Sequence, residues 1–261
     1  MRLCGALSLA LSAIVGFVSS VSGAADVVFP LQANSVRFAV IGDMGTGTGL
    51  QLDVARQMVK SRAVFPFESV ITLGDNILTG SRPSDFIKDF EAPYKPLLDA
   101  GVEFYAVLGN HDNTNERFYK PFNMNGASYY TYKKGNVRFF ALDSNYMDPK
   151  QTTWLEAELR KAGNGNWKIS YFHHPLYSSA EFHGPGTALR RVLEPLFVRY
   201  GVDVVFAGHD HVYERVRPQH GFQTMSRKGV AVDSGLIHRT IRPTSEGVAM
   251  SPPSIALRFH P

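Results

Sequence analysis

Five polar clusters stand directly after apolar runs: Gly42-Asp43-Met44-Gly45, Gly74-Asp75-Asn76, Gly109-Asn110-His111-Asp112, His173-His174-Pro175 and Gly208-His209-Asp210-His211. Carboxylate, amide and imidazole donors in one set suit Zn, Mn or Fe. They are too many for one ion, so the set points to two metals about 3.5–4 Å apart, bridged by one carboxylate. Such a pair makes a hydroxide from water near neutral pH and stabilises both the attacking and the leaving oxygen. Taken singly, each cluster reads as an ordinary turn. Five clusters of the same donor types at five strand ends read as one rim, because ligand sites in α/β sheets form at strand ends.

The preceding runs are strand-like: Val36 to Ile41, Val70 to Leu73, Phe104 to Leu108, Trp167 to Phe172 and Val202 to Ala207. Between them, Gly49 to Arg62 carries Leu50, Val54, Met58 and Val59 at helical spacing. Pro83 opens a second helix with Phe86, Ile87 and Phe90 as its apolar face, and Pro93 and Pro96 are expected to break it. Tyr129 to Lys133 and Val137 to Leu142 flank Lys134-Gly135-Asn136 as a hairpin. Asp148 caps a helix that starts at Pro149. Leu189 to Tyr200 is a further helix, bent or interrupted near Pro195. Early strand–helix alternation followed by hairpins predicts an α/β fold. From His238 onward periodicity fails, so residues 238–261 are expected to be a poorly ordered tail.

The N-terminus reads as a secretory signal peptide over residues 1–25. Arg2 supplies the positive region, Leu3 to Val18 the apolar stretch, and small residues run to Ala25. That stretch is weak for a spanning helix, which needs about 20 mostly apolar residues. The mature protein is therefore expected to be exported, periplasmic or extracellular, with no membrane association after cleavage. Cys4 is the only cysteine. A cleaved chain would then have no disulfide, thiolate site or cysteine nucleophile. The net charge of +4 comes from the end of the chain, where seven Arg or Lys after His211 face only Glu214, Asp233 and Glu246. That reads as a solvated tail, and no nucleic-acid partner is expected.

At the five clusters, in order and with similar spacing, the sequence resembles the calcineurin-like metallophosphoesterases. Within them it is most similar to purple acid phosphatases of the small tartrate-resistant type. The stretch His173-His174-Pro175-Leu176-Tyr177-Ser178-Ser179-Ala180-Glu181-Phe182-His183-Gly184-Pro185 adds to the likeness, with one extra residue before His183. The resemblance implies a four-layer αββα sandwich of two mixed sheets flanked by helices, over residues 26–237. It implies two divalent metal ions (Mn, Zn or Fe), with Asp43 and His211 on the first, Asp75 bridging, and Asn110, His173 and His209 on the second. His111 would stand by the substrate phosphate and leaving group, and His183 would line the pocket. His174, where the small acid phosphatases have Tyr, and Asn76 would support the ligands from behind. A bound hydroxide would attack a small phosphate ester in line, with no phosphoenzyme.

The sequence departs from the family in two places. The residue three after the bridging Asp is Leu78 rather than Tyr, and the residue two after the first Asp is Gly45 rather than His. The first metal then has only Asp43, Asp75 and His211 from the protein, and divalent rather than ferric ions are expected. After His211, Phe222 to Ser226 and Val230 to Asp233 resemble a closing hairpin, with fewer strands than the family carries. That is either a compact variant or a shortened chain of reduced stability. The leading expectation is a phosphomonoesterase. A phosphodiesterase or nucleotide hydrolase on the same site, or a weakly active or inactive metal- or phosphate-binding homologue, stays open.

Overall fold

The computed structural model describes residues 35–216 and the backbone of Gln219–His220 and Gln223–Thr224. The expected leader, the 238–261 tail and most of the hairpin built on Phe222 to Ser226 and Val230 to Asp233 lie outside the described residues.

Two sheets pack face to face between helical layers. The first has the order β1 (Phe38–Ile41), β2 (Ser69–Thr72), β3 (Glu103–Tyr105), with both pairings parallel. The second runs β4 (Tyr130–Lys134), β5 (Val137–Ala141), β6 (Trp167–Tyr171), β7 (Val204–Phe206). Its β4–β5 hairpin is antiparallel and its remaining pairs are parallel. A short antiparallel pair, β8 (Gln219–His220) with β9 (Gln223–Thr224), follows. This is the α/β fold that the alternating pattern predicts, in the two-sheet sandwich form that the family resemblance implies.

Strand alternation divides the apolar residues into three layers. Phe38, Ile71, Val107, Phe139 and Ile169 fill the space between the sheets. There Phe38 meets Phe139 edge to face at 5.3 Å. Val70 and Phe104 turn outward onto the helices α1 (Gly49–Val64) and α3 (Ala92–Asp99), meeting Met58, Tyr94 and Leu97. Phe140 and Phe172 turn outward onto α4 (Pro149–Ala162) and α5 (Thr187–Tyr200), meeting Leu155, Leu193 and Phe197. Among the described residues no helix is long and apolar enough to cross a membrane.

The prolines do less damage than expected. Helix α2 (Pro83–Phe86) continues through a π-helical stretch, Ile87–Glu91, into α3, so Pro93 and Pro96 do not end it. Pro93 has no N–H for the Asp89 carbonyl four residues back. The widened turn moves the bonding to five residues, Ala92 N–H to Ile87 O. The freed Asp89 carbonyl instead accepts from Gln51 Nε2 of α1. Pro195 likewise sits inside α5, which runs unbroken. In α1 the buried face is Gln51, Ala55 and Met58, while Leu50 and Val54 are exposed. Gln51 is buried because it also accepts from Gly47 N–H, at 2.7 Å. The substitution Gln51→Ala orphans both the Asp89 carbonyl and the Gly47 N–H. It is expected to destabilise by about 1–3 kcal/mol, read as a lower midpoint in urea with an unchanged slope.

Candidate metal centre

Strands β1, β2, β6 and β7 each deliver a donor within a few residues of their ends, and they do so at the same rim. Asp43 follows β1, Asp75 follows β2, His173 follows β6, and His209 and His211 follow β7. Asn110 and His111 stand a little further past β3. The turns are tight and interlocked: Asp43 N–H donates to Gly74 O at 3.0 Å, and Gly45 N–H to Asp75 O at 3.1 Å. Among the described residues six non-glycine positions have positive φ, and four of them are Asp43, Asp75, His209 and His211. Such conformations cost energy and concentrate at functional sites.

Glycines let backbone reach carboxylate. A Cβ on Gly208 would stand 2.6 Å from Asp43 Oδ2, and one on Gly109 would overlap Asp75 Oδ1. Asp75 Oδ1 accepts from His111 N–H at 3.1 Å, and Asp43 accepts from His209 N–H at 3.0 Å. His173 is fully buried. Its Nδ1 meets the Leu73 carbonyl at 2.8 Å, so that nitrogen carries a proton and Nε2 is the one turned to the rim. Nε2 lies 2.9 Å from Asn110 Oδ1, 3.1 Å from His209 Nδ1 and 3.6 Å from Asp75 Oδ1. His211 Nε2 lies 3.3 Å from Asp43 Oδ1, on an exposed side chain. The exposed His183 ring packs on His209 with centroids 4.1 Å apart. The His111 ring is also exposed.

Electrostatics fit metal ligation. Burial raises the Asp43 carboxyl above its ordinary value, against the pull of His173 and the His209 N–H. Burial, with His173 alongside, lowers the His209 imidazole. The same causes, with His209 added, push His174 down to about 4, which leaves it neutral at pH 7. Among the described ion pairs Asp43 and Asp75 meet imidazoles only, never Lys or Arg. Asp43, Asp75 and His173 offer ligand atoms all within 4.8 Å of one another. Two carboxylates without a Lys or Arg partner, facing imidazoles, are a donor set that a divalent pair satisfies.

Asn76 supports this rim from behind, fully buried. It accepts from Thr72 Oγ1 at 2.6 Å and donates to the Val107 carbonyl and Asp112 Oδ2, both at 2.8 Å. Asp112 was not picked out from the sequence as a site residue. Its carboxylate also accepts the N–H groups of Asn76 and Gly109, at 2.6 and 2.8 Å, and so pins the Asp75 and Asn110 turns together. Burial pushes Asp112 up to about 6, and burial with Asp112 nearby pushes Glu116 up to about 9. Ser144 and Asn145 were missed as well. Ser144 Oγ lies 2.9 Å from His174 Nδ1, and Asn145 Nδ2 donates to the Leu108 and Gly109 carbonyls at 3.2 and 3.1 Å. The signal was there: the β5 run also ends in a polar cluster, Asp143-Ser144-Asn145.

The two departures have structural counterparts. At Gly45 a Cβ would overlap the Asn76 carbonyl, so no side chain fits on this backbone. Leu78 is partly exposed, and its N–H donates to Gly45 O at 2.9 Å. Neither position adds a donor to the Asp43 side.

An α/β sandwich whose strands converge carboxylate, amide and imidazole on one rim has the form of a metal-centre protein. The family model for calcineurin-like phosphoesterases matches residues 36–213, and the chain belongs to that family. A purple acid phosphatase of Glycine max is 34% identical over 68% of this chain and 43% of its own length. Tartrate-resistant acid phosphatase type 5 of Rattus norvegicus is 24% identical over 79% of this chain and 76% of its own. Among solved structures, a purple acid phosphatase from yellow lupin (Lupinus luteus) seeds superposes with a TM-score of 0.62 at 21% identity, covering 73% of this chain and 40% of that one. The chain spans about half the length, or somewhat less, of several curated relatives that it matches, between 40% and 50%.

The raised Glu116 carboxyl has a signed consequence for stability. A folded-state value near 9 against an ordinary 4.5 gives stability that is fully present below about pH 4.5 and lost as pH rises through 9. Lowered His174 and His209 act the other way, below the ordinary histidine value of 6.5. Between pH 7 and 9, therefore, the wild type is expected to lose stability in urea denaturation, and Glu116→Gln to flatten that decline.

Proposed function

We propose that this chain is an exported, metal-dependent phosphoric ester hydrolase acting on small phosphomonoesters. The observation that carries the reading is the meeting of Asp43 and Asp75 with His173 and His209 at one rim, with no Lys or Arg ion-paired to either carboxylate among the described residues. Asp43, Asp75 and His211 would hold one divalent ion, and Asn110, His173 and His209 the other, with Asp75 between them. Bound there, the pair would supply an acidified water for in-line attack and positive charge for the phosphoryl oxygens. The chain supplies the rest. The His111 N–H holds Asp75 Oδ1, and its solvent-facing imidazole is suited to give a proton to the departing alkoxide. His183, packed on His209, would line the substrate side. Export rests on the leader read in residues 1–25, and mass spectrometry of secreted protein should find a new N-terminus near Ala24 or Ala25.

The test is turnover of an aryl phosphate against a bis-aryl phosphate with Mn, Zn or Fe(II) added separately. Monoester turnover stimulated by metal is expected. Asp75→Ala should abolish it, and His111→Ala should lower kcat by about 10²–10⁴-fold. Preference for the diester would make the chain a phosphodiesterase. No turnover with any metal would favour a binding homologue, the reading that Gly45 and Leu78 support.

A further inference from the structure

We propose that His174 is itself a metal ligand, completing with His173 and His209 a three-imidazole position beside the carboxylate position of Asp43 and Asp75. The inference rests on the metal-dependent reading above and changes the second ion's ligand set. One ring nitrogen from each of His173, His174 and His209 lies within 4.8 Å of the other two. The rings stand at 5.0 Å (His173 to His174), 4.5 Å (His174 to His209) and 4.9 Å (His173 to His209).

His174 is also oriented as a ligand would be. A metal-bound histidine hands its other N–H to a fixed acceptor, which sets tautomer and ring direction. His173 does this with the Leu73 carbonyl, and His174, in the tautomer with its proton on Nδ1, does the same with Ser144 Oγ at 2.9 Å. The same hydroxyl oxygen accepts the His174 backbone N–H at 3.0 Å, so main chain and ring are held by one atom. With Nδ1 engaged, Nε2 is the nitrogen left to ligate.

The two positions then differ in chemistry. Imidazoles favour Zn and other borderline ions, while carboxylates favour Mn and Mg. The first equivalent of Zn or Co(II) is expected to enter the imidazole position, ahead of the one held by Asp43, Asp75 and His211.

The test titrates the full chain with ZnCl2 by calorimetry and with CoCl2 by visible absorption, for wild type, His174→Ala and Ser144→Ala. Circular dichroism checks that the metal-free variants fold. The expected result is one tight first equivalent in wild type. His174→Ala should weaken it by at least ten-fold and change the Co(II) d–d band. Ser144→Ala should weaken it about ten-fold with the band kept. Unchanged affinity and band in His174→Ala would overturn the proposal and leave the dimetal reading standing. No Zn or Co(II) binding by wild type would overturn both. If His174→Ala does not fold, proton NMR of wild type with one equivalent of Co(II) decides. One exchangeable hyperfine-shifted imidazole signal for each of His173, His174 and His209 supports the proposal, and absence of the His174 signal overturns it.

Discussion

The hydrogen bond between His173 Nδ1 and the Leu73 carbonyl joins the two sheets where they carry their donors. It is 2.8 Å long, fully buried, and spans 100 residues of chain. Leu73 is also the residue whose N–H continues the β1–β2 ladder to Ile41 O. One carbonyl therefore ties the first sheet's central strand to the imidazole of the second. A buried carbonyl that lost this partner would cost about 1–3 kcal/mol. The bond also fixes which His173 nitrogen faces the carboxylates, so the packing of the sandwich and the chemistry of the rim share one constraint.

Around that bond the site is held largely by main chain. Asp43 rests on Gly208, Asp75 on Gly109, and Gly74 leaves no room for a Cβ between the Gly109 backbone and the His173 ring. Positive φ at four donors shows that the turns are held in place by the packing behind them. Asp112 and Asn76 supply much of that packing. The site is uneven: imidazole and amide donors gather on one side, and two carboxylates with an exposed His211 occupy the other.

Much of this was legible from residue types. Most strand ends were readable because apolar runs stop abruptly at Gly-Asp or His-His-Pro, while β3 stops at Tyr105, short of the Gly109-Asn110-His111 cluster. The β4–β5 hairpin and the Asp148 cap followed from local rules, and Asp148 does accept from Gln151 N–H. What was not legible depends on distant partners. Pro93 looks like a helix breaker unless Gln51, 38 residues away in sequence from the carbonyl it caps, is already in place. Leu50 and Val54 matched helical spacing, yet Gln51 and Ala55 face the core, because a buried glutamine with two partners outcompetes a leucine that can stay in water. Asp112 stood within a cluster that was noticed, but its four donors come from two turns that only the fold brings together.

The π-helical stretch has a mechanical side. A π turn is the mark of one extra residue in a helix, and it lets the segments before and after it keep different facing directions. Here the shift falls on Asp89. Its carbonyl receives Gln51 from the helix that follows Asp43, and its carboxylate receives the Thr79 N–H and hydroxyl, at 3.1 and 2.7 Å, from the loop that follows Asp75. A single residue on an outer helix thus acts as a brace between the segments that follow the two acid-bearing turns.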